Sequence, residues 1–265
     1  MSSFLDADSY YTPENSRQWQ DKLSLNTRVY FILCFIGTVL RTRRIAVKGK
    51  YDKAAWIDSS HEILRLIERC GGIFHITGLN HMREINGPVV YVSNHMSTLE
   101  TMIFPGLIAP FRDVTFVVKD SLVKHPFFGH VMRSRNPIVV SRSNSREDLM
   151  TVMNKGKDLL SKGMSIVIFP QSTRNVAFKP SEFNSLGVKL ASRAGVSVVP
   201  VAIKTDFWKN GRIIKDLGPI DRNKPIYIEF GAPIPVKSSG KEENERIIDF
   251  IATHLKSWGG TVHLT

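Results

Sequence analysis

Short runs of apolar residues recur along most of this chain, separated by segments whose apolar positions repeat at helical spacing. The runs at 73–76, 88–93 (PVVYVS), 114–118, 137–141, 165–169 and 196–203 are four to eight residues long, the length of buried strands. Helical patterns at 98–108, 122–132, 146–160 and 185–193 fall between them. This alternation predicts an α/β domain with a largely parallel sheet flanked by helices. A late strand at 225–230 and a charged helix at 242–258 complete the pattern, and no internal repeat or linker interrupts it.

Ahead of that pattern, residues 29–40 (VYFILCFIGTVL) are continuously apolar. A membrane-crossing helix needs about 20 such positions. The run is therefore long enough to lie in a membrane surface and too short to cross one. Arg41, Arg43, Arg44, Lys48, Lys50 and Lys53 follow it, and each basic group near an anionic leaflet contributes roughly 1 kcal/mol. A buried core helix with a solvated basic loop is the competing reading. A second helical pattern at 54–69 places Trp56, Ile63, Leu64 and Ile67 on one side and ends at Gly71 and Gly72. The expected organisation is an N-terminal extension with a two-helix membrane-docking unit over 1–72, then an α/β domain over 73–265.

Composition narrows the partners. Lys and Arg number 36 against 24 Asp and Glu, a formal charge of +12 over 265 residues, so the expected partner surface is anionic. Neither aromatic residues interleaved with the basic cluster nor a reader motif is present, which argues against nucleic acid. Only Cys34 and Cys70 occur, without metal-ligand spacing, so neither a disulfide framework nor a metal site is expected. The opening MSSFLDADSY lacks the basic-then-apolar order of a secretory signal. The expected location is the cytoplasmic face of a membrane, in a monotopic attachment.

The candidate chemistry begins at NHMSTLE, residues 94–100, where an apolar strand gives way to a helix. Ser97 and Glu100 fit a capping box, and the chain reversal it implies folds Glu100 back toward His95. An imidazole titrates near neutrality and can take the proton of an attacking hydroxyl; a carboxylate on its second nitrogen fixes the tautomer. No Ser or Cys nucleophile is required if the group under attack is already activated. An H-x4-E spacing alone is weak, since the capping box by itself accounts for a glutamate at 100. Two further strand ends strengthen it: NPIVVSR (136–142) delivers Arg142, and IFPQSTRN (168–175), broken by Pro170, delivers Thr173 and Arg174 to a loop. Two guanidiniums at one sheet edge can grip a single phosphate.

NHMSTLE, NPIVVSR, IFPQSTRN and VVPVAI resemble the four ordered blocks of the glycerolipid acyltransferases, most of all the lysophosphatidic acid acyltransferase type. VKDSLVKHPFFG (118–129) is similar to the family's lysine-led stretch ending in Pro-x-x-Gly. The resemblance covers about 87–203. It implies that His95 is the base activating an acceptor hydroxyl and Glu100 its orienting acid. It also implies that Arg142 and Arg174, with Lys119 as a weaker third cation, attend the acceptor phosphate. Asn94, Ser97, Pro170, Gln171, Ser172 and Thr173 are the supporting motif residues. No bound cofactor is implied; the acyl group arrives as a thioester of coenzyme A or acyl carrier protein. The implied partners are a lysophospholipid, probed first as 1-acylglycerol 3-phosphate giving phosphatidic acid, that thioester donor and an anionic membrane surface.

The chain departs from the family pattern at four positions. Glu100 stands where the family writes Asp, Gln171 and Ser172 replace Glu-Gly, and Asn136 replaces the glycine that opens the second block. Gln171 removes a negative charge beside the expected phosphate site, which leaves two alternatives open. One is the same chemistry on another lysolipid or an acylated amino-acid lipid. The other is a non-catalytic module that binds anionic lipid.

Overall fold

The structure is a computed structural model that describes residues 7–263 except 26, 172, 213 and 238. Eight strands form one sheet: β1 (Tyr10–Tyr11), β2 (Phe74–Thr77), β3 (Val90–Ser93), β4 (Val114–Lys119), β5 (Ile138–Val140), β6 (Ser165–Ile168), β7 (Val198–Lys204) and β8 (Ile226–Phe230). Their spatial order is β1-β2-β8-β7-β3-β6-β4-β5. The pairings β2–β8, β7–β3, β3–β6, β6–β4 and β4–β5 are parallel, while β1–β2 and β7–β8 are antiparallel. The sheet is thus mixed, with a parallel block at β7-β3-β6-β4-β5. Every residue of β3, β6 and β7 is buried, because helices cover both faces there. That two-sided burial is why these strands read as unbroken apolar runs. In β8 burial alternates instead, Ile226, Ile228 and Phe230 pointing inward.

The helices are α1 (Trp19–Leu23), α2 (Val29–Val47), α3 (Lys53–Arg69), α4 (Leu79–Glu84), α5 (Leu99–Ile108), α6 (Asp120–Lys124), α7 (Gly129–Ser134), α8 (Ser145–Ser161), α9 (Leu186–Ala194) and α10 (Lys241–Ser257). Their ends follow local chemistry. Asp52 caps α3 by accepting Ala55 N–H, and Asn144 caps α8 by accepting the N–H groups of Arg146 and Glu147. The sequence pattern predicts one helix over 122–132, but the structure has two, α6 and α7. Pro126 separates them: it has no N–H to donate and holds His125 in an extended conformation, φ −63° and ψ 132°.

The basic residues expected to flank the 29–40 run lie partly inside the helix, since α2 continues through Arg41, Arg43 and Arg44 to Val47. Phe31, Phe35, Thr38 and Thr42 face inward, and Phe31 and Phe35 meet the buried Trp208 edge-on at 4.8 and 4.9 Å. Val29, Leu33, Ile36, Leu40 and Val47 are exposed on the opposite face. Neither the core-helix reading nor the surface reading describes α2 alone; the helix has one face of each kind. Among the described residues, no helix is long and apolar enough to cross a membrane.

α3 carries the core across to α5. Ser60 Oγ accepts Gly106 N–H at 2.8 Å and donates to the Met102 carbonyl at 2.7 Å, the two groups that an uninterrupted helix would join directly. Ser60 thus ties α3 to the backbone of α5 beside Pro105. His61 Nε2 donates to the Gly106 carbonyl at 2.9 Å. A Cβ on Gly106 would stand 2.7 Å from the His61 ring and 2.8 Å from Ser60 Oγ, so only glycine lets the helices approach this closely.

Candidate active site

The parallel block delivers its carboxyl ends to one edge of the sheet, and the loop leaving β3 is anchored there on β7. Asn94 donates its amide to the Ile203 carbonyl at 2.9 Å and accepts Ile203 N–H at 3.0 Å. The backbone then reverses, so that His95 Nδ1, Met96 N–H and Ser97 N–H all donate to Glu100 Oε1, at 2.9, 2.7 and 2.8 Å. The Ser97 N–H bond is the reciprocal half of the expected capping box. The other half differs. Ser97 Oγ accepts Leu99 N–H and donates to Glu100 Oε2 at 2.8 Å, and Thr98 rather than Ser97 borders the helix.

Glu100 is fully buried. Burial opposes its ionisation, but the His95 hydrogen bond and charge, with the Thr205 and Ser97 hydrogen bonds, outweigh it and hold the carboxyl below the usual range. An ionised Glu100 can only accept, so His95 Nδ1 is the donor in this contact. Phe169 stacks on the imidazole with centroids 4.3 Å apart and planes 20° from parallel. Gln171 Oε1 accepts His95 N–H at 2.8 Å, and Asn175 N–H donates to the His95 carbonyl. Ring and backbone are therefore both fixed.

His95 opens into a cavity of about 840 Å³. Lys119, the last residue of β4, lines it together with Arg142 after β5, and Gln171, Thr173 and Arg174 after β6. Arg142 has φ +59°, and its backbone N–H donates to Asp148 Oδ2 at 2.7 Å while Ser141 N–H donates to Oδ1. Asp148 thus sets the loop that presents this arginine. Arg174 Nη1 lies 2.7 Å from Asp216 Oδ1. Away from these charges the lining is apolar, with Trp56, Ile63, Phe116, Val118, Val131 and Val152. One cavity therefore joins an imidazole, three cationic side chains and an apolar end.

The expected site residues His95, Glu100, Lys119, Arg142 and Arg174 converge, with Asn94 and Ser97 behind the dyad and Pro170, Gln171 and Thr173 at the cavity wall. Ser172 lies outside the described residues. Asn136 has φ +48°, a left-handed conformation that explains why glycine or asparagine suits that position. Sequence reasoning missed Thr205 and Asp216. Both follow β7, and the only trace of Thr205 was a hydroxyl two residues beyond VVPVAI. Cys34 and Cys70 are free thiols. Burial pushes the Cys70 thiol up to about 12, so it is no nucleophile near neutral pH. Among the described residues, no cluster of three His, Cys, Asp or Glu could hold a metal ion.

Residues 73–204 match the family model Acyltransferase. A 1-acyl-sn-glycerol-3-phosphate acyltransferase of Pseudomonas aeruginosa is 33% identical over 148 residues, 56% of this chain and 56% of that protein. One from Chlamydomonas reinhardtii is 31% identical over 128 residues, 48% of this chain and 37% of that protein. The matched stretch therefore spans about half or less of these relatives. The crystal structure of the 1-acyl-sn-glycerophosphate (LPA) acyltransferase PlsC from Thermotoga maritima superposes with a TM-score of 0.63 at 19% identity, covering 89% of this chain and 95% of that one, and so shares the fold. Residues 73–204 are thus recognised as an Acyltransferase segment, and the chain is similar there to 1-acyl-sn-glycerol-3-phosphate acyltransferases.

Proposed function

We propose that this protein transfers a fatty acyl group from an acyl thioester, of coenzyme A or acyl carrier protein, to the free hydroxyl of 1-acylglycerol 3-phosphate, giving phosphatidic acid. The observation that carries this reading is the His95 Nδ1–Glu100 Oε1 contact of 2.9 Å inside a cavity also lined by Arg142, Arg174 and Lys119. The acceptor oxygen attacks the thioester carbonyl while its proton passes to His95 Nε2, and Glu100 stabilises the imidazolium. Collapse of the tetrahedral intermediate breaks the C–S bond, and the leaving thiolate takes the proton back. The three cations hold the acceptor phosphate, and the apolar end of the cavity takes hydrocarbon.

The exposed face of α2 supports attachment to an anionic leaflet. Val29, Leu33, Ile36 and Leu40 form its apolar stripe, and the exposed Arg28, Arg41, Arg44, Lys48 and Lys50 supply charge. An enzyme seated there takes a lysolipid from the membrane without moving its chain through water. The test is to incubate wild type and His95→Ala with acyl thioester and lysophosphatidate. Loss of phosphatidate formation in the variant is expected, and full activity would remove His95 as the base. Other lysolipids in the acceptor panel address the alternative raised by Gln171.

A further inference from the structure

We infer that Thr205 is a positioning residue of the His95–Glu100 dyad, fixing the carboxylate through the oxygen that does not meet the imidazole. The inference rests on the acyl-transfer reading above. Thr205 is fully buried at the end of β7, and its Oγ1 donates to Glu100 Oε2 at 2.7 Å. Ser97 Oγ approaches both Glu100 Oε2, at 2.8 Å, and Thr205 Oγ1, at 3.0 Å, but has one proton for the two. The Thr205 proton has one partner. On the other carboxylate oxygen, His95 shares its acceptor with two backbone N–H groups, so Thr205 completes the shell from the far side.

Its own placement is over-determined. Thr205 N–H donates to Met96 Sδ at 3.2 Å, and the neighbouring Ile203 is held through both backbone groups by Asn94. On either side of Thr205, Lys204 and Asp206 are buried and paired, Nζ to Oδ1 at 3.0 Å. A buried ion pair loses much if it shifts, which holds the strand end still. The dyad thus depends on a contact 105 residues away in sequence.

The chemical consequence has a definite sign. His95 and Glu100 together carry one negative charge in the active form, and removing a donor to that unit raises its affinity for a proton. Other charged groups line the cavity or back Thr205: Arg174 and Asp216 from the loops after β6 and β7, Lys119, Arg142, Asp148, Lys189 and Lys215 along the cavity, and Lys204 and Lys224 with Asp206 behind Thr205. Substituting Thr205 leaves all of them in place.

The experiment uses Thr205→Val, which keeps shape and removes the donor, and Thr205→Ser, which keeps the donor. The acid limb of kcat/KM for acyl transfer should move up by about one pH unit in Thr205→Val and return in Thr205→Ser. The His95 ring titration, followed by nuclear magnetic resonance without substrate, should shift the same way. A fall in activity that is uniform across pH, with an unmoved titration, would overturn the inference and leave Thr205 merely structural. So would a Thr205→Ser variant that folds and titrates like Thr205→Val. If wild type forms no phosphatidate while the titration still shifts, the acyl-transfer reading fails and the positioning role stands. Should Thr205→Val not fold, Thr205→Ala and Thr205→Ser are compared by the same titration.

Discussion

Arg174 and Asp216 form an ion pair, Nη1 to Oδ1 at 2.7 Å, at the wall of the cavity that holds His95. The same carboxylate oxygen accepts Thr98 Oγ1 at 2.7 Å. An internal anion thus engages the guanidinium proposed to receive the acceptor phosphate, and acceptor binding must displace or share it. Replacing Asp216 by Asn keeps the hydrogen-bonding shape and removes the charge. A partly exposed pair of this kind contributes about 1 kcal/mol or less, so the acceptor KM in Asp216→Asn should fall up to roughly five-fold. Donor KM should stay unchanged. Acceptor saturation at fixed thioester reads this directly; a raised acceptor KM would mean that Asp216 aims Arg174 instead of competing for it.

Gln171 carries the second prediction. Its Oε1 holds His95 N–H, while its buried Nε2 has no hydrogen-bond partner among the described residues. Gln171→Glu preserves an acceptor for His95 N–H and adds a negative charge near the cations. It should raise the acceptor KM several-fold with little change in kcat. Gln171→Leu leaves His95 N–H without its acceptor, an unmet buried donor that costs about 1–3 kcal/mol, and should lower kcat by ten-fold or more. Similar kinetics in both variants would show that charge at this position does not matter.

The legible parts of the molecule are those fixed by local sequence. Strands β3, β6 and β7 announced themselves because burial on both faces leaves no polar positions in them. His95 and Glu100 were legible as a pair because a single chain reversal brings them together. The antiparallel β7–β8 pairing and the two-residue β1 were not, since pairing partners are chosen by tertiary packing. Thr205 and Asp216 reach the site across 105 and 118 residues, to Glu100 and Thr98, and no spacing rule links positions so far apart. The two faces of α2 escaped because a continuous apolar run hides which side the core will take.

The contact between α3 and α5 predicts a pH-dependent stability. Burial lowers the His61 pKa from its ordinary value of 6.5, the Gly106 carbonyl opposes that shift, and the Arg65 charge adds to it. Below about pH 6.5 the unfolded chain therefore binds a proton at His61 that the folded chain resists, and stability falls as pH drops toward the folded value. Gln at this position can still donate to the Gly106 carbonyl but does not titrate. Urea midpoints measured at pH 7.5 and 5.5 should differ less in His61→Gln than in wild type. An equal loss in both proteins would assign the acid sensitivity to another group that titrates in this window, such as His75, whose pKa burial also lowers.

Substitutions on the exposed stripe of α2 test the proposed surface binding apart from catalysis. Leu33 and Ile36 project outward, while Phe31 and Phe35 of the same helix pack on Trp208. Glutamates at 33 and 36 should leave the fold intact, because exposed substitutions away from buried contacts change stability by about 0.5 kcal/mol or less. On a leaflet the same changes remove apolar contact and add repulsion from anionic headgroups. Leu33→Glu with Ile36→Glu should weaken co-sedimentation with anionic vesicles by ten-fold or more. Acyl transfer to lysophosphatidate should drop when the acceptor sits in those vesicles and persist when it is dissolved in detergent micelles. Loss in both media would place α2 in the catalytic structure itself, whereas unchanged vesicle binding would move the membrane contact to another face.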